Sequence, residues 1–158
     1  MLTLNKTKIE LNDPNFATIL ARIESDFIIE ISKTRTYSTY IFKYHSDHIS
    51  PNAVFNKFIQ GDHKYHKKMS YDNSRIQRIH WIHEILDYMI ANNFLDPDGE
   101  IALYYCEEKT TYYIVHKKSK YVIFMNETGK NTLMIGSAFI PDENYYNRII
   151  NNQFCYSL

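Results

Sequence analysis

The chain has 158 residues, of which 44% are hydrophobic and 23% are charged, and its formal net charge at pH 7 is zero. These fractions are typical of one globular domain and exclude disordered, collagen-like and coiled-coil proteins. No apolar run is long enough to span a bilayer, and neither G-x-G-x-x-G nor a P-loop motif occurs, which excludes integral membrane proteins and glycine-loop nucleotide binders. With no apolar stretch of a secretory signal at the N-terminus and only two cysteines, the sequence predicts a cytoplasmic protein with free thiols.

The first part of the chain predicts a short ribbon, a helix and a short strand. Residues 2–11 carry two small apolar groups that favour the ribbon. Asp13 and Pro14 form a helix-start signal, and apolar residues at helical spacing predict a helix over 15–25. The apolar run over 27–31 predicts a strand, and no flexible linker follows it.

The middle of the chain predicts a strand, two helices and an exposed cationic loop. Residues 36–43 are rich in β-formers and predict the strand, and Pro51 begins a helix that ends before Gly61. A polar, cationic stretch follows as the loop. Asp72, Asn73 or Ser74 then caps the longest helix, which is expected to run to about residue 92.

After residue 100 the hydrophobic period changes from helical to alternating. Four strands are predicted over 101–106, 110–117, 120–126 and 131–140, joined by short turns, and a final helix is predicted through residue 150. The expected fold is therefore α+β, with N-terminal helices, a four-stranded antiparallel sheet and a short C-terminal helix. We divide it into an N-terminal extension, 1–35, and a catalytic domain, 36–158, which are expected to form one compact unit.

Six of the seven histidines form H-x-x-H pairs, a spacing that places two imidazoles on one side of a helical turn. Zinc accepts such nitrogens, but a structural zinc site needs four ligands and the cysteines are distant in sequence. The prediction is accordingly that the protein holds no metal or other cofactor, with a metal-dependent hydrolase kept as an alternative. The pairs are His45/His48, His63/His66 and His80/His83.

Cations and histidines concentrate between residues 33 and 68, whereas acids dominate between 84 and 108, so the zero net charge hides a basic surface that is suited to phosphate. His45 and His48 lie in a predicted loop, where catalytic side chains are common, and imidazole transfers protons at neutral pH. Around them we expect residues that bind the substrate, namely Lys43, His63, Lys64, His66, Lys67 and Arg75.

Three further features have both a structural and a functional interpretation. Arg75 and Arg78 lie one turn apart beside an apolar stripe, so each needs an acidic partner or a bound phosphate. Ser137, in the last strand, is expected to face the same side as Leu133 and Ile135 if the strand alternates regularly, and its hydroxyl could bond a phosphate oxygen. Tyrosines interleaved with the cations, among them Tyr37, Tyr40 and Tyr112, suit either base stacking or the core.

These residues together resemble the barnase–EndoU–colicin–RelE-like superfamily, in particular its phage-associated toxin nucleases. The segments that carry the resemblance are YIFKYHSDHI, VFNKFIQGD, RIQRIHWIHEIL, TTYYIVHKKSKYVIFM and MIGSAFIPDENYY. The resemblance implies helices before a four-stranded sheet. It also implies a catalytic set of His48 with His45, Arg78 or Arg75 as the cation, and Ser137 as a late hydroxyl.

The leading functional hypothesis is a metal-independent endoribonuclease of toxin or effector type that acts on tRNA or other RNA. The resemblance implies attack of the ribose 2′-hydroxyl on the adjacent phosphorus to give a cyclic phosphate, so DNA is expected to be inert. It also implies a neutralising immunity or antitoxin protein as a partner, and no membrane is expected as a partner. A protein-binding module of a phage or mobile element, without catalysis, is the other alternative.

Overall fold

A computed structural model describes residues 1–44, 50–60, 71–151 and 156–157. The chain builds five α-helices and seven β-strands within these ranges. The helices are α1 (Phe16–Ser32), α2 (Pro51–Ile59), α3 (Asn73–Arg78), α4 (Trp81–Ala91) and α5 (Glu143–Ile150). The strands are β1 (Arg35–Tyr37), β2 (Tyr40–Tyr44), β3 (Ile101–Cys106), β4 (Thr111–His116), β5 (Tyr121–Glu127), β6 (Thr132–Phe139) and β7 (Tyr156–Ser157).

The sheet has seven strands in the order β1-β2-β6-β5-β4-β3-β7 and is mixed, so the predicted four-stranded antiparallel sheet is wrong. The four predicted strands form its centre as the antiparallel series β3 to β6. Residues 36–43, predicted as one strand, fall instead within a hairpin whose second strand pairs in parallel with β6. This pairing covers backbone groups of β6 that would otherwise form an open edge.

The helical expectations meet three corrections. The apolar run over 27–31 continues α1, because Ile23 and Phe27 are one helical turn apart on its buried face. The predicted long helix is divided into α3 and α4, since Ile79 and Ile82 donate to carbonyl oxygens three residues back and break the regular ladder. The ribbon predicted over 2–11 forms no strand. By contrast, the predicted α2 and the C-terminal helix α5 are confirmed.

Two apolar clusters lie on opposite faces of the sheet. The main core combines buried residues of α1 to α4 with one sheet face, including Phe55, Ile82 and Ile123. The second core lies under α5, where Tyr146 and Ile149 pack with residues of β3, β4 and β5. Because the main core contains residues from the first 35 positions as well as from the sheet, α1 is packed into the body of the protein. Among the described helices, none is long and apolar enough to cross a membrane.

The segment before α1 is held against the break between α3 and α4. Both His80 Nε2 and Trp81 Nε1 donate to the Asn5 carbonyl oxygen, at 2.7 and 2.9 Å. On the other side of the ring, the Thr7 hydroxyl lies 3.4 Å from His80 Nδ1. With both nitrogens of His80 occupied in this way, the ring is a structural link rather than a free ligand.

Candidate functional site

The end of β6 extends beyond its pairing with β2. Parallel pairing joins Ile41–Tyr44 of β2 to residues 132–135 of β6, and its last pair is Tyr44 with Ile135. From Gly136 to Phe139, β6 has no further strand neighbour on this side within the described ranges. We call Ser137 and Phe139 of this strand end, together with Arg75, which contacts Phe139, and Arg78, one turn along α3 from Arg75, the β6-edge site.

Arg75 is held at this edge by an aromatic ring and a carboxylate. Its guanidinium carbon lies 4.4 Å from the centre of the Phe139 ring, a distance that is typical of a cation–π contact. Its Nε lies 3.6 Å from Oδ2 of Asp72, the N-cap residue of α3. The ring and the carboxylate fix the guanidinium between α3 and the end of β6.

Arg78 is a buried cation, with only 8% of its surface exposed. Its Nη1 donates to the carbonyl and the hydroxyl oxygens of Ser74, at 2.9 and 2.7 Å, and its guanidinium carbon lies 5.3 Å from the Trp81 ring centre. No carboxylate forms an ion pair with it in the described part of the chain, and its buried Nε bonds no described acceptor. Burial lowers the pKa of this guanidinium, so the protein bears a cost for keeping it charged here.

Ser137 faces the second core, which is opposite to the predicted side. Its pairing partner is Phe124, whereas Ile135 pairs with Met125, so Gly136 is an extra residue in a β-bulge. The bulge reverses the alternation, and Ile135 and Ala138 both enter the main core while Ser137 does not. Ser137 therefore shares a face with Phe139, on which Arg75 lies, and Arg78 remains on the helical side of the sheet.

A second cationic feature lies along β2, and we call it the lysine cleft. It has a volume of about 250 Å³ and is lined by residues that include Lys33, Thr34, Lys43, Tyr44 and Pro51. Lys33 is paired with Glu30 at 2.5 Å, while Lys43 is exposed and forms no ion pair with a described residue. The predicted substrate-binding Lys43 thus lines the cleft with a positive charge that no described carboxylate pairs.

Behind the lysine cleft lies a buried polar cluster that sequence reasoning missed. Arg35 is only 8% exposed, and it donates from Nε and Nη2 to the two carboxylate oxygens of Asp87, at 2.6 and 3.0 Å. Its Nη2 also lies 2.6 Å from Oε2 of Glu30. Such paired, charge-assisted hydrogen bonds keep the cation satisfied. The only signal in the sequence was a cation beside a β-rich segment, because its partner Asp87 is 52 residues away.

His83, from the third H-x-x-H pair, belongs to this cluster. Its Nε2 shares a hydrogen bond with the Tyr44 hydroxyl, and its ring packs against Phe27 at 5.4 Å. Burial, and then the charge of Arg35, lower its pKa to about 4, so the imidazole is neutral at pH 7. No group of three or more potential metal ligands occurs among the residues that the structure describes.

The other predicted site residues lie outside the described residues, and they are His45, His48, His63, Lys64, His66 and Lys67. Of the remaining four, Arg75 contacts Phe139 at the end of β6, and Ser137 belongs to that strand. Arg78 lies one turn further along α3, and Lys43, in β2, lines the lysine cleft. Comparisons with models of protein families, with curated proteins and with solved structures found no match to this chain.

Proposed function

We propose that the protein is a metal-independent endoribonuclease that binds a substrate phosphate at the β6-edge site. The observation that carries this proposal is the buried guanidinium of Arg78, which has hydroxyl and carbonyl partners but no carboxylate among the described residues. The charge of nearby Asp72 stabilises this cation in part, but a buried guanidinium that bonds no described carboxylate is costly unless a ligand supplies the counterion. Phosphate is one of the two anions, with carboxylate, whose geometry matches a planar guanidinium.

The position of Arg75 supports the same assignment. Its contact with Phe139 holds a second guanidinium at the end of β6, one helical turn from Arg78. A transition state that gains negative charge is stabilised by cations that are already fixed in place.

The proposed reaction is a transfer within the RNA chain. A base removes the proton of the ribose 2′-hydroxyl, and the resulting oxygen forms a bond to the adjacent phosphorus. The bond from phosphorus to the 5′-oxygen breaks, and an acid protonates that oxygen, which leaves a 2′,3′-cyclic phosphate and a 5′-hydroxyl. We assign the proton transfers to His45 and His48, which follow Tyr44 in the chain, and the charge stabilisation to Arg75 and Arg78.

Analysis of the product ends tests this assignment. Purified protein is incubated with a synthetic RNA in EDTA, and the fragments are weighed by mass spectrometry. Fragments that end in a 2′,3′-cyclic phosphate support transfer from the 2′-hydroxyl. Fragments that end in a 5′-phosphate, or activity that requires an added metal ion, would contradict the proposal.

A further inference from the structure

An aromatic cleft opens at the start of β2, at the other end of this strand from Tyr44. It has a volume of about 190 Å³, and five of its lining residues are aromatic. Four of these rings are half-buried, so they remain accessible, and the fifth, that of Phe42, is buried. We define the aromatic cleft by the rings that line it, which are those of Tyr37, Tyr40, Phe42, Phe94 and Tyr112.

The backbone places Phe94 in this cleft at an energetic cost. Phe94 has φ of 56°, in the left-handed region, where a bulky side chain is strained. The preceding Asn93 has φ of 54° and ends α4 in a Schellman motif, since its N–H donates to Ile90 and that of Phe94 donates to Met89. The Phe94 ring then lies 4.7 Å from that of Tyr37 and is stacked at 5.9 Å on Phe42. One wall of the cleft is consequently preformed.

The polar atoms of the cleft are phenol hydroxyls. The Tyr37 hydroxyl donates to the Asn93 carbonyl oxygen at 3.2 Å. Burial, and then a hydrogen bond with Tyr40, raise the pKa of the Tyr112 hydroxyl, which keeps it neutral. Among the described residues that line the cleft, none is a lysine, an arginine or a carboxylate. Such a lining suits a flat, uncharged group with polar atoms at its rim.

The lysine cleft adjoins the aromatic cleft, because Phe42 lines both of them. A site for an uncharged ring thus lies beside a site for an anion. Lys130 is exposed and lies outside the two clefts. The turn that contains it is bonded to β2, because the Asn131 carbonyl oxygen accepts from the backbone N–H of Ile41. A nucleotide has both parts, a planar base and a phosphate, in one covalent unit.

We propose that the aromatic cleft binds a base of single-stranded RNA by stacking, while the phosphate next to that base contacts Lys43 in the lysine cleft. This inference rests on the proposed function, because RNA is the substrate class that the proposal assigns. It adds that the enzyme holds its substrate strand away from the reacting phosphate. It also predicts a preference for unpaired strands, since bases in a duplex are not free to enter the cleft.

Binding of an RNA that cannot be cleaved tests the inference separately from catalysis. The probe is a fluorescein-labelled octamer with 2′-O-methyl riboses, which lacks the attacking hydroxyl, together with the same octamer made without bases. Fluorescence anisotropy measures the affinity of each probe for the wild type, for Tyr40→Leu and for Tyr112→Leu. Tyr145→Leu, on α5 at the opposite face of the sheet, is the matched control, and thermal unfolding verifies that each variant is folded.

We expect Tyr40→Leu and Tyr112→Leu each to weaken binding of the octamer on the order of ten-fold, since a stacked base contributes about 1–3 kcal/mol. Tyr145→Leu should bind like the wild type, and the octamer without bases should bind all four proteins equally. Lys43→Gln should lower the dependence of log K on log salt by roughly one contact for both probes. The two tyrosine variants are independent, so one remains informative if the other does not fold.

Equal affinities of the two tyrosine variants and the wild type, or equal affinities for the two probes, would overturn the base site. If RNA is cleaved but the tyrosine variants bind normally, the base site is wrong and the endoribonuclease proposal stands. If binding depends on the bases and on both tyrosines but no RNA is cleaved, the base site stands and the endoribonuclease proposal is wrong.

Discussion

The Arg75 guanidinium lies 4.4 Å over the ring of Phe139, and this contact joins helix α3 to the end of strand β6 that extends beyond β2. It brings a cation to the same strand edge as Ser137, although 62 residues separate these two residues in the sequence. Arg78, one turn further along α3, adds a second cation that is almost completely buried. The predictions below test this site and the polar cluster behind the lysine cleft.

Replacing Arg78 should lower the cleavage activity without lowering the stability of the fold. We expect Arg78→Met to lower RNA cleavage about 10²–10³-fold, since that is the usual effect of losing one fixed charge-stabilising group. The melting temperature should stay the same or rise, because a buried cation without a carboxylate among its described partners is exchanged for an apolar side chain. Arg22→Met, at an exposed position of α1, is the control and should leave both quantities unchanged.

A purely structural Arg78 would give the opposite pattern. In that case Arg78→Met would lower the melting temperature clearly and would reduce cleavage only in proportion to the unfolded fraction. Calorimetry and initial cleavage rates on the same preparations distinguish the two outcomes.

Removing Asp87 should destabilise the fold by roughly 2 kcal/mol, because the buried Arg35 then loses two charge-assisted hydrogen bonds. Glu30 still bonds Arg35, and Asp87 is itself half-exposed, so the loss is smaller than for a fully buried pair. Urea unfolding of Asp87→Ala measures this loss, and Asp26→Ala, an exposed acid on α1, should change the free energy of unfolding by less than about 0.5 kcal/mol. Equal effects of the two substitutions would contradict the role given to Asp87.

His83 should make the protein less stable as the pH falls. Burial and the nearby Arg35 lower its pKa to about 4 from an ordinary value of 6.5, so the unfolded chain binds the proton more readily. The stability gained by keeping the ring neutral is complete above pH 6.5 and is lost as the pH falls towards 4, by up to about 3 kcal/mol. Nearby Glu30 and Asp87 act against this shift, and Lys33 reinforces it.

Urea unfolding between pH 7 and pH 4.5 checks this dependence. We expect His83→Gln, which retains a hydrogen-bonding side chain opposite Tyr44, to lose distinctly less stability over that interval than the wild type. Parallel pH curves for the two proteins would show that His83 is not the titrating group.

The bulge at Gly136 predicts that deleting this residue destabilises the protein far more than enlarging its side chain. A methyl group at this position would lie 3.9 Å from the nearest atom outside the adjoining residues, the carbonyl oxygen of Phe124, so Gly136→Ala should change stability by less than about 1 kcal/mol. Deleting Gly136 should instead be severely destabilising, because regular alternation would turn Ser137 into the main core and Ala138 out of it. A deletion variant that melts at the wild-type temperature would contradict the bulge.

Local patterns in the sequence predicted the parts of the fold that depend on neighbouring residues. The alternation after residue 100 predicted β3 to β6, and Pro51 predicted the start of α2. The Ser50 hydroxyl, which accepts from the N–H of Ala53 at this start, was not predicted. The parallel pairing of β2 with β6 was beyond such patterns, because it joins residues about 90 positions apart. The short apolar run over 27–31 was ambiguous for a different reason, since a buried helical turn and a strand have the same composition there.

Local sequence patterns were limited in the same way at the candidate site, where distant residues meet. The spacing of Arg75 and Arg78 predicted two cations on one helix face, and the structure places both next to aromatic rings. The predicted orientation of Ser137 was wrong, because the extra residue in β6 reverses the sheet face on which each following side chain lies. Arg35 was missed because its burial follows from a partner on α4, and only the packing of α1, β1 and α4 brings the three charged groups together.

The most direct test of the central claim is cleavage of total tRNA in EDTA, compared with single-stranded DNA of similar length. Wild-type protein is assayed beside His48→Ala and Arg78→Met, with Arg22→Met as the control. The proposed function predicts that the wild type and Arg22→Met cut the RNA and leave the DNA intact, and that the other two variants are strongly impaired while still folded. Intact RNA with well-folded wild-type protein, or equal cutting of RNA and DNA, would contradict it.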